Sequence, residues 1–134
     1  MKKQFLFVLL LTTGLLLTGC GDDGGGEVVV DVALGEQLYN RVTLGPNLAA
    51  GCVTCHAYDA SEGDESNAPF TSGTGERAAS RVPGLSAEAY LRESILSPDA
   101  FIVEGYDAGT MYQKWSEDLT ESEIASIVAY LLEQ

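Results

Sequence analysis

Histidine is almost missing from this 134-residue chain, which has only His56. Methionine occurs twice, as Met1 and Met111, and cysteine three times, as Cys20, Cys52 and Cys55. No second histidine exists to act as a general acid or base beside the first. A closed structural zinc site, which wants four N or S ligands from paired clusters, is poorly served. Bases are scarce as well: 7 Lys and Arg stand against 20 Asp and Glu, for a net charge of −13. Nucleic acid is therefore excluded as a partner, because phosphate binding needs basic patches. Strand-like alternation is absent outside Val28-Val29-Val30, and neither an internal repeat nor a βαβ pattern is visible. An all-α domain is the expectation that remains.

The scarce residues converge on one stretch, Cys52-Val53-Thr54-Cys55-His56. C-x-x-C-H is the attachment sequence of a c-type haem. Two thiols one helical turn apart can add to two vinyl groups on one porphyrin edge, and the histidine that follows supplies an axial nitrogen. A zinc site or a thioredoxin-like dithiol pair are the alternatives. The first runs short of ligands, and the second lacks its βαβ setting.

Met1-Lys2-Lys3 followed by the apolar run Phe5 to Leu17 has the form of a secretory signal, too short for a span of about 20 residues. Leu17-Thr18-Gly19-Cys20 resembles the lipobox of bacterial lipoproteins, which implies that residues 1–19 are removed and Cys20 carries lipid. An ordinary signal peptide followed by an incidental cysteine is the competing reading. Two or more acyl chains hold a protein stably on a bilayer. Cleavage removes Lys2 and Lys3 and no acid, so the mature chain would carry 20 acids against 5 bases, or −15. Such acidity gives solubility, and it could equally steer the domain to a basic docking face. Residues 20–32 read as lipidated cysteine and flexible linker, whose glycines give roughly ten residues a reach of about 18 Å. Residues 33–134 form one domain.

Within that domain Asp31 can cap a helix carrying Leu34, Leu38 and Val42 inward, with Tyr39 beside them. Gly45-Pro46-Asn47 ends it. Residues 48–58 carry the haem motif, and 59–75 read as a polar surface loop. A short helix is expected around Glu76 to Ser80. Ser86 caps another that runs to about Leu96, with Leu91 and Ile95 inward and Ser97-Pro98 as its stop. Residues 97–117 read as a long connection. Thr120 and Glu123 make a capping box for the last helix, whose stripe is Ile124, Ile127, Val128 and Leu131.

Iron with one histidine needs a sixth ligand or an open position. Met1 would leave with the signal, so Met111, 55 residues after His56, is the candidate for His/Met ligation. The alternative is a methionine that fills a gap in the core.

From about residue 33 to the end, the chain resembles a class I monohaem cytochrome c. Gly35 and Tyr39 match the family's glycine–aromatic pair, which crosses the last helix near Tyr130. Cys52, Cys55 and His56 match the haem motif, and Met111 the distal ligand. The resemblance implies a small cytochrome c fold of three to five helices around one covalent haem c. It also implies that the Pro69 carbonyl accepts the proton of the other His56 nitrogen; Pro83 is a rival for this role. Arg77, Arg81, Tyr106 and Trp115 are candidates for contacts with the haem propionates. One departure concerns the prolines that often flank the ligand methionine in relatives: here the stretch is Ala108-Gly109-Thr110-Met111-Tyr112.

The segment from Arg77 to Tyr106 is similar to haem domains attached to bacterial respiratory complexes. The expectation is thus a lipid-anchored carrier, not an enzyme, on the outer face of the cytoplasmic membrane. It would pass one electron between respiratory or photosynthetic complexes, from a quinol-oxidising donor to a terminal oxidase or similar acceptor. A fixed haem subunit of a complex such as alternative complex III is a second reading, and an open-site haem enzyme or sensor a third.

Overall fold

The computed structural model describes residues 27–134, so the expected signal at 1–19, Cys20 and the stretch 21–26 lie outside the described residues. Helix α1 spans Val32–Tyr39, a hairpin pairs β1 (Thr43–Leu44) with β2 (Ala49–Ala50), and a 3-10 turn follows at Cys52–Thr54. Then come α2 (Thr74–Arg81), α3 (Ala87–Leu96), a second 3-10 turn at Pro98–Ala100, α4 (Trp115–Asp118) and α5 (Glu121–Leu132). The fold is all-α, as expected, with a hairpin too short to show any alternation in sequence. No helix among the described residues is long and apolar enough to cross a membrane.

Eight residues make a marginal helix in isolation, so α1 depends on its cap and its packing. The Asp31 carboxylate accepts from the amides of Ala33 and Leu34, a cap worth about 1 kcal/mol. Packing comes from α5. A Cβ on Gly35 would lie 2.0 Å from the Ser126 carbonyl oxygen, so the two backbones touch where only hydrogen fits. Around that contact the Asp31 amide donates to Ser126 Oγ at 3.0 Å, and one turn further the Tyr39 and Tyr130 rings meet at 5.4 Å. The glycine–aromatic pair therefore does cross the last helix, with Gly35 on Ser126 and Tyr39 on Tyr130. Both bonds of the capping box of α5 form: the Glu123 amide donates to Thr120 Oγ1, and the Thr120 amide to Glu123 Oε2.

Three local expectations need correction. Val42 is not on the inner face of α1, because the helix stops at Tyr39 and Val42 is 70% exposed on the approach to the hairpin. Asn40 ends it: its amide and its side chain both turn back to the Glu36 carbonyl. Residues 97–117 are no plain connection, since Pro98–Ala100 and the first residues of α4 interrupt them. The chain is also docked earlier than a linker to residue 32 implies, with the Val29 amide on Ser122 Oγ at 3.0 Å.

The Tyr39 hydroxyl shares a 2.6 Å hydrogen bond with Thr71, which is itself 2% exposed. Burial holds this phenol well above its ordinary pKa of 10.0, against the opposing effect of the Thr71 bond. An unfolded chain releases that proton near 10 while the folded one keeps it, so the stability it contributes is complete below pH 10. Above that it declines, at up to about 1.4 kcal/mol per pH unit. Tyr39→Phe should flatten this alkaline limb by one proton's worth in urea unfolding at about pH 9 to 11.5. Burial raises Tyr130 too, so some slope persists. Equal slopes in both proteins would show that Tyr39 titrates normally.

Candidate haem site

A half-open cleft of about 610 Å³ lies beside the core, in the range of cofactor sites, roughly 300–1,000 Å³. Its apolar wall includes Tyr39 from α1, Leu91 and Ile95 from α3, Trp115 from α4, and Ile127 and Leu131 from α5. These are core side chains, each at most 8% exposed. Amphipathic helices thus turn the same faces to one another and to the cleft, which suits a large, flat, apolar group.

Polar chemistry is confined to a few positions. Cys52 begins the 3-10 turn after the hairpin, and the Cys55 and His56 amides both return to its carbonyl. The turn brings both thiols and the imidazole to the cleft. Neither cysteine is paired in a disulfide. Among the described residues, no group of three or more His, Cys, Asp or Glu is arranged to hold a metal ion. Burial pushes the Cys52 thiol up to about 11, so it stays protonated at neutral pH.

His56 Nδ1 sits 2.8 Å from the Pro69 carbonyl oxygen. A carbonyl can only accept, so Nδ1 carries the proton and Nε2 is left with its lone pair. Burial lowers the imidazole pKa below 6.5, with the Pro69 bond opposing it. The ring is therefore neutral at pH 7, the form that binds a metal. Pro69 rather than Pro83 takes this position.

Arg77 and Arg81 both line the cleft. The Arg77 guanidinium donates to the carbonyls of Phe70 and Ser72 and to Thr74 Oγ1. Three of its donors thus stitch together the loop that carries Pro69. Trp115 lines the cleft with its ring edge-on to Tyr112 at 4.7 Å. Tyr106 is not part of the wall; burial and the Glu65 carboxylate raise its phenol, with Arg81 and Arg77 acting against them. Met111 is half-buried, packed against the core and part of the wall.

Asp118 escaped the sequence reading. It is 8% exposed, with its carboxylate accepting from Asn47 Nδ2 and from the Tyr112 hydroxyl at 2.9 Å. It ties the hairpin turn to the residue next to Met111. No local pattern could have revealed it, because Asn47 lies 71 residues away.

The residues fit a haem: two free thiols, one imidazole in the ligating tautomer, one thioether and an apolar cleft. No curated protein matches the chain. The family model for cytochrome c matches residues 32–134, every helix included. Members of that family carry covalently attached haem c and transfer electrons with it, and this chain belongs to the cytochrome c family.

Proposed function

We propose that this c-type cytochrome is a lipid-anchored, single-haem class I carrier that passes electrons between membrane-bound redox complexes outside the cytoplasm. Cys52 and Cys55 would hold the haem by thioethers, with His56 Nε2 and the Met111 sulfur as axial ligands. Bound there, haem c supplies a one-electron couple. The observation that carries the reading is the 2.8 Å bond from His56 Nδ1 to the Pro69 carbonyl, beside a cleft that Met111 also lines. That bond fixes the ring's orientation and raises its basicity as a ligand. The Met111 thioether would raise the potential and, as a second iron ligand, would leave no site for oxygen or peroxide.

The anchor rests on Cys20 at the end of the apolar run Phe5 to Leu17. Because the Val29 amide bonds Ser122 Oγ, the eight residues 21–28 can reach at most about 28 Å. So short a leash favours donors and acceptors in the same membrane, and it suits permanent docking as a subunit of one complex equally well.

The test is expression of the full chain in a bacterium competent for cytochrome maturation, with haem absorbance followed through fractionation. The wild-type absorbance should sediment with membranes, and that of Cys20→Ala should appear in the soluble fraction. Haem in the soluble fraction for both proteins would reject the anchor. A polypeptide without added porphyrin in intact-mass analysis would reject the electron-transfer reading itself.

A further inference from the structure

The loop that carries Met111 has no proline on either side of it, yet it is braced by side chains at both flanks. Asp99 stands in the 3-10 turn Pro98–Ala100, whose Pro98 is buried and whose Ala100 amide returns to the Ser97 carbonyl at 2.8 Å. Its Oδ1 accepts the Gly109 amide at 2.9 Å and Gln113 Nε2 at 3.3 Å. The same Gln113 nitrogen donates to the Met111 carbonyl at 2.9 Å. Gly109 has φ +75°, so its amide is aimed at Asp99 by a backbone conformation that glycine adopts without strain. One carboxylate oxygen therefore joins both sides of the methionine to a turn fixed on the end of α3.

We infer that Asp99, acting through Gln113, is the positioning residue that holds the Met111 loop closed over the cleft. The inference rests on the reading of Met111 as an iron ligand. Hydrogen bonds to an ionised acceptor are the stronger kind, and this acceptor serves two donors. The three contacts span residues 109 to 113, so loosening Asp99 frees the methionine backbone without touching the core. Asp118, through Tyr112, anchors the far side from inside the protein. Asp99 is exposed, so its removal leaves the buried network in place.

The experiment compares wild type, Asp99→Ala, Asp99→Asn and Met111→Ala as holoproteins, by imidazole titration of the oxidised form and by the red sulfur-to-iron charge-transfer band. Imidazole binds only when the methionine is off, so its apparent affinity scales with the open fraction. Asp99→Ala should bind imidazole about tenfold more tightly, the equivalent of 1.4 kcal/mol in the open–closed balance. Asp99→Asn keeps an acceptor for both donors and should restore most of the difference. The thermal midpoints of the Asp99 variants should stay near that of wild type. If Asp99→Ala binds imidazole as wild type does while Met111→Ala loses the band, the clamp is wrong and the ligand reading stands. A band unchanged in Met111→Ala overturns both.

Discussion

Replacing Met111 with alanine is expected to lower the reduction potential by on the order of 0.2 V, about a quarter of the roughly 0.8 V that axial ligands span. The same variant should lose the red charge-transfer band in its oxidised form and bind carbon monoxide in its reduced form. The reasoning is one of inventory and position. His56 is the only imidazole in the chain, and Nδ1 is committed to Pro69. Among the described residues Met111 is the only methionine, and it lines the same cleft. A soft thioether favours ferrous iron, so its loss favours the ferric form and the potential falls. Potentiometric titration of both proteins decides the matter. A potential unchanged within about 30 mV, half of a tenfold change for one electron, would mean that Met111 is packing and not a ligand.

Gly35→Ala should cost the fold a large part of its stability. Alanine is the better helix former by about 1 kcal/mol, so an open helix would gain from the change. Here the added carbon would lie 2.0 Å from the Ser126 carbonyl oxygen and 2.5 Å from its carbon. Both are backbone atoms in the middle of α5, and neither can swing aside. The helices must separate, which loosens the Tyr39–Tyr130 contact and the Asp31–Ser126 bond together. Overpacking usually costs about 1–3 kcal/mol, and a backbone clash belongs at or above the top of that range. The net loss should exceed about 3 kcal/mol, a large part of the 5–15 kcal/mol that holds a domain together. Denaturant unfolding of the holoprotein measures it, and a loss below 1 kcal/mol would show that the crossing yields easily.

What could be read in advance was whatever sequence-local chemistry writes down. Cys52, Cys55 and His56 are set by spacing alone, and Thr120 with Glu123 by a four-residue capping pattern. The stripe on α5 is likewise a matter of period. The Val42 error came from following an apolar period past Asn40, a residue type that commonly ends helices. The close approach at Gly35 was legible from the glycine–aromatic pair it forms with Tyr39, though its partner Ser126 was not. Asp99 and Asp118 look like any solvated acid in a chain with 20 of them. Their partners lie between 6 and 71 residues away in no local pattern, so only the folded backbone reveals their roles. Arg77 shows the complementary limit: a propionate contact was expected of it, but not the two loop carbonyls to which its guanidinium donates.

The bond between Asp31 and Ser126 joins residues 95 positions apart. Helix α1 cannot be seated until α5 has been made and delivered, because each covers the other. A polypeptide that emerges amino end first presents its two thiols long before that closing partner arrives. In the finished domain Cys52 is half-buried and a poor nucleophile; in the emerging strand it is open to solvent and to any ligase that can grasp it. The crossing of α1 and α5 is therefore a long-range contact that closes only after the whole domain has been synthesised.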